Sequence, residues 1–164
     1  MEEIRAATAQ YPRFEDGRID YTNEPVCFVI NSVVAVGPEV LLVHRSAHVI
    51  AYPNTFSGVS GFIDRTGITL EQHALLELTE ELDAPLALIR SLQISEELVQ
   101  PDASIGREWH VRAALVEFSE KFEPRTNWEN KTAAWFLIEE VRKMELMPGF
   151  AETFEAALAL RNSD

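Results

Sequence analysis

Cysteine is nearly absent from this chain. Its single residue, Cys27, excludes an intramolecular disulfide and any multi-thiolate zinc site. Cys27 sits in an apolar run, which makes it a small buried residue. Basic residues are scarce too: 14 Lys and Arg face 27 Asp and Glu, for a net charge of -13. A nucleic-acid-coating surface needs the opposite sign, so no nucleic-acid partner is expected. The acidic excess is compatible with a protein that collects divalent cations. No apolar stretch approaches the roughly 18 residues that span a membrane, so no membrane partner is expected. Residues 1–10 lack the apolar core of a secretory signal, and the expected address is the cytoplasm. Repeats, low-complexity segments and Gly/Ser/Pro linkers are also missing, so residues 1–164 read as a single domain. What is there is 46% apolar residues against 25% charged, enough to form a core and too apolar for a disordered chain.

Residues 1–24 are polar and irregular and read as an N-terminal arm or edge strand. Residues 26–36 are rich in β-branched side chains, and a Gly37-Pro38 turn separates them from a second strand at 40–45, a hairpin pattern. Residues 51–61 carry Pro53, Asn54, Gly58 and Gly61 and read as a structured loop with short extended pieces. A helix follows. Thr69 is its N-cap, Gln72 completes a capping box, and Leu75, Leu78 and Leu82 form one apolar face that ends before Pro85. Strands are expected at 86–94, 108–118 and 133–138, then a helical turn at 139–144. Pro148 opens a last helix with Phe150, Phe154 and Leu158 on its inner face. This order predicts an α/β (α+β layered) domain, a mixed sheet with helices packed against it.

Glu77, Glu80 and Glu81 share one side of the central helix, at i, i+3 and i+4. Like charges at this spacing repel by a few tenths of a kcal/mol per pair. No Lys or Arg occurs from Thr66 to Ile89, and the helix C-terminus disfavours negative charge. Two readings follow: a solvated acidic face near distant arginines, or a face compensated by a hard divalent cation with oxygen ligands.

Residues 61–84 read GFIDRTGITLEQHALLELTEELDA. This stretch resembles the Nudix box, G-x5-E-x7-R-E-U-x-E-E-x-G-U with U aliphatic, and Glu77-Leu78-Thr79-Glu80-Glu81 matches its E-U-x-E-E core. The strand ending in Arg45, the turn residue Gly67, and Trp128-Glu129 followed by Trp135 are similar to flanking features of the family. The likeness spans roughly residues 26–160. Four positions depart from the pattern: the box's first Gly falls on Phe62, its first Glu on Ile68, its Arg on Leu76 and its last Gly on Asp83.

The resemblance implies a Nudix-like mixed sheet between helices. It implies a metal-dependent hydrolase of a nucleoside diphosphate linked to another moiety, with water attacking phosphorus. Magnesium or manganese would be held by Glu77, Glu80, Glu81, the carbonyl of Gly61 and Glu129. The base would be Glu77 or Glu129, and Arg45 would contact a substrate phosphate. The partner is a small nucleotide or other diphosphate, and homodimers are common among similar proteins. The four departures favour a second reading, a nucleotide-binding or regulatory module with little turnover. A third is an isopentenyl-diphosphate isomerase, which shares the fold. Its loop cysteine would correspond to Ser60, which lacks comparable acidity. Arg107 and His110 face opposite ways on one strand. The four histidines show no ligand spacing, and Trp109, Trp128 and Trp135 are expected as packing residues or loop anchors.

Overall fold

The computed structural model describes residues 1–162. Among these residues seven strands form one mixed sheet around β1 (Val26–Val36). That strand is buried along nearly its whole length, as its run of Val, Ile and Phe requires of a central strand covered on both faces. One edge of β1 runs parallel to β6 (Arg107–Phe118). The other edge is shared. Val29 to Ser32 pair antiparallel with β4 (Val59–Phe62), and Val34 to Val36 with β2 (Glu39–Arg45). The expected hairpin is therefore present. β2 continues the sheet to β3 (Phe56–Ser57) and to β7 (Asn130–Leu137), and β5 (Ile89–Asp102) lies outside β6.

Two apolar layers cover the sheet. On one side Ala74, Leu78 and Leu82 of α2 (Leu70–Leu82) meet Ile30, Val34, Val59 and Ile63. On the other, Phe150, Phe154, Ala157 and Leu158 of α4 (Phe150–Ala159) pack on Val33, Ala35, Val40 and Leu115. The last helix thus buries the face read from its spacing, and the short turn before it is α3 (Ile138–Val141).

α2 is set by its ends. The Thr69 hydroxyl accepts from the Gln72 N–H at 3.2 Å, and the Gln72 side chain accepts from the Thr69 N–H at 2.8 Å. At the far end Asp83 takes φ 51°, the left-handed region. This is the position where the box has glycine, and aspartate is among the few residues that tolerate it.

Three local expectations change. Residues 1–24 hold no edge strand: they form α1 (Glu2–Ala7) and a loop whose Ile4, Ile19 and Tyr21 are buried in the core. Residues 86–88 form a 3-10 turn, and β5 begins at Ile89 and runs on to Asp102 through an irregularity between Ile94 and Glu97. β7 starts at Asn130, three residues before the expected Ala133. Among the described residues no helix is long and apolar enough to cross a membrane.

Candidate active site

The two short elements that face each other here are β4 and the second half of α2. Gly61 stands opposite Ile30 in the sheet, and the Glu77 carboxylate lies directly on it: a Cβ at position 61 would collide with the carboxylate carbon and both oxygens of Glu77. Only glycine lets the helix side chain lie this close to the strand.

The three helix glutamates do not share one environment. Glu80 is exposed, Glu77 is half-buried and Glu81 is buried, with 1% of its surface accessible. Glu81 Oε2 accepts a hydrogen bond from Asn130 Nδ2 at 2.6 Å. Its Oε1 is buried with no hydrogen-bond partner among the described residues, as is Asn130 Oδ1. A buried carboxylate oxygen without a donor costs several kcal/mol if the group is charged. Burial, reinforced by Glu129 and Glu77, pushes the Glu81 carboxyl well above the usual carboxylate range. Burial first, then Glu80, Glu129 and Asp64, pushes Glu77 up to about 8. Glu129 is raised by burial, with Arg45 acting against the shift. These carboxylates therefore feel one another across α2 and the loop before β7, and the acidic face is not the fully solvated one.

Arg45 ends β2 at a bulge next to Asn130. Its guanidinium donates from Nε and Nη2 to the Ala51 carbonyl, at 3.3 and 3.0 Å, and from Nη1 to Ser60 Oγ at 3.5 Å. Glu81 and Glu129 supply negative charge near it, although burial is the larger effect on the group. The Ser46 N–H donates to the Glu129 carbonyl at 2.7 Å, which ties the Glu129 loop to the end of β2.

Other singled-out residues lie elsewhere. Arg107 donates to Cys27 Sγ and sits over the Trp109 ring, while His110 bridges Glu97 and Glu108. His73 is buried on the Arg65 carbonyl. Phe62 stacks on Tyr21 with ring centroids 5.0 Å apart, so the N-terminal loop explains an aromatic at a glycine position. Trp109 and Trp135 pack as expected, but Trp128, beside Glu129, is 68% exposed.

The NUDIX domain family model matches residues 27–157, most of the sequence. The chain belongs to the Nudix family. No curated protein matches the sequence. Solved structures with the same fold include the NUDIX domain of Shewanella oneidensis NrtR complexed with ADP ribose, at a TM-score of 0.68 and 18% identity over 97% of each chain. Others are a MutT protein from Methanosarcina mazei Go1, at a TM-score of 0.67 and 14% identity over 87% of this chain and 99% of that one, and the M. smegmatis Nudix hydrolase RenU, at a TM-score of 0.64 and 18% identity over 92% and 93%. At these identities the likeness speaks for the fold alone.

Nudix proteins typically use a divalent metal. Among the described residues no group of three or more His, Cys, Asp or Glu converges closely enough to hold one. The chemistry of the donors still fits a hard cation: all are oxygens, Glu81 Oε1 is buried without a donor among the described residues, and Arg65 near Glu77 and Arg45 near Glu81 do not offset the rise that burial and the neighbouring acids cause. Leu76, at the box's arginine position, is 37% exposed and supplies no cation.

Asn130 and Asp64 are the site neighbours missed in the sequence. Asn130 follows Glu129 directly, but a polar Asn-Lys-Thr opening hides the start of β7 and with it the inward-facing amide. Asp64 carries no signal beyond its place inside the box.

Proposed function

We propose that this Nudix protein is a metal-dependent diphosphohydrolase acting on a nucleoside diphosphate linked to another moiety. The observation that carries this reading is Glu81, a buried carboxylate with one oxygen left without a partner, among acids that raise one another. Glu77, Glu80, Glu81, the Gly61 carbonyl and Glu129 are the oxygens that would hold magnesium or manganese. When bound, such an ion neutralises diphosphate charge and lowers the pKa of an attacking water.

The chain's own residues divide the remaining tasks. Glu77, at about 8, is protonated at neutral pH until positive charge arrives, which makes it a poor base by itself. Glu129 has Arg45 beside it and takes the proton from water. Three of an arginine's five N–H donors are engaged in Arg45, which leaves two for a phosphate oxygen. Glu80, on the exposed rim, adds its charge as the site fills.

The test is release of phosphate-containing products from a panel of nucleotide sugars, dinucleoside polyphosphates and deoxynucleotides, with magnesium or manganese. Silence across the panel in folded protein contradicts the reading. Leu76 and the unconverged carboxylates favour a second one, a nucleotide-binding module with little turnover. Calorimetry with and without EDTA separates them, because the module binds nucleotide with no metal requirement. The isomerase reading has little support: Ser60 has no thiol, and its hydroxyl is engaged by Arg45.

A further inference from the structure

We infer that Asn130 is a positioning residue for Glu81, a role that rests on the hydrolase reading above. Both residues are almost wholly buried, at 3% and 1% exposure. Their link, Asn130 Nδ2 to Glu81 Oε2 at 2.6 Å, is a side-chain bond across 49 residues of chain, from the start of an edge strand to the last turn of α2. A carboxylate on a helix turns freely about its last torsion unless something fixes it. Here one oxygen is fixed by an amide donor, so the orientation of the other, Oε1, is set.

The amide is fixed in turn. Asn130 pairs with Arg45 in the sheet at the β2 bulge, and its backbone N–H donates to the Asn127 carbonyl at 3.3 Å. Asn127 also accepts the Glu129 N–H on its side chain at 3.0 Å. One tight turn therefore places Glu129 and, through Asn130, Glu81. Asn130 supplies the orienting donor from the sheet side of α2, while the helix position where the family has arginine is an exposed leucine, Leu76. A leucine at 130 would keep the branched shape, at a larger volume, and remove the donor. The Glu81 carboxylate would then lose its one hydrogen bond among the described residues, and Oε1 its fixed direction.

The test uses Asn130→Leu and Asn130→Val in the full chain, with manganese alone as probe, followed by the free-ion electron paramagnetic resonance signal. Melting curves in EDTA record whether each variant is folded at the titration temperature; the smaller valine, which also lacks a donor and suits a strand, serves if leucine does not fold. Outer-shell partners of metal ligands typically change affinity by about 10–100-fold. The expected result is manganese affinity weakened at least about tenfold in folded variant. Affinity within about twofold of wild type in either folded variant overturns the positioning role while leaving the hydrolase reading intact. Wild-type protein that binds no manganese overturns both.

Discussion

The Glu77 carboxylate fills the space that a side chain on Gly61 would need, so the strand and the helix of the site are in contact through a missing Cβ. The obstruction is the far end of a flexible side chain. In Gly61→Ala, Glu77 swings aside and the fold is kept. Stability should change by no more than about 1 kcal/mol, while turnover should fall about 10²-fold from the misplaced carboxylate. Melting curves and steady-state rates on the same preparation check this.

Gly58 is the contrasting case. A Cβ there would stand 2.5 Å from the Ser32 carbonyl and 2.5 Å from Asn31 Oδ1. Backbone cannot swing aside, so Gly58→Ala should destabilise by about 1–3 kcal/mol, read as a fall of about 2–4 °C in Tm per kcal/mol.

The metal-free protein should lose stability as pH rises. A carboxyl whose folded pKa lies above its ordinary value near 4.5 favours the fold below that value, and this contribution disappears as pH passes the folded pKa, about 8 for Glu77. Glu81 and Glu129 shift in the same direction. In EDTA, Glu77→Gln should therefore melt higher than wild type at pH 8.5, by an amount on the order of 5 °C, with the gap closing towards pH 5. Thermal melts across this range check the sign.

Glu81 and Glu129 should fail differently. Glu81→Gln should abolish manganese binding along with turnover. Glu129→Gln should lower kcat by about 10²–10⁴-fold, the usual worth of a general base, while leaving KM nearly unchanged. Equal losses of manganese affinity in both variants would leave Glu129 a ligand alone and remove its role as base. Calorimetry and initial rates separate the two.

Much of this architecture was legible because local chemistry and burial agree. The capping box, the apolar face of α2 and the β-branched centre of the sheet each announce themselves within a few residues. The departures arose where long-range packing overrides local character. Glu2 to Ala7 look like a polar arm, and only Ile4, Ile19 and Tyr21 packing on the distant core makes them ordered. β5 looked short because its bulged, polar half is held by pairing with β6 rather than by its own pattern. In the site, the shared face of Glu77, Glu80 and Glu81 was visible from spacing, but their graded burial was not. It depends on how β4, just before the helix in sequence, packs against it, and on Asn130 of β7, 49 residues beyond Glu81.

The most direct measurement is anomalous scattering from a crystal soaked in manganese with a non-hydrolysable nucleotide. A manganese peak is expected bounded by Glu81 Oε1, Glu77 and Gly61, with the nucleotide's phosphates against it. Glu81 left without a metal neighbour at full soak, or a peak only at surface acids such as Glu97 and Glu108, would contradict this expectation.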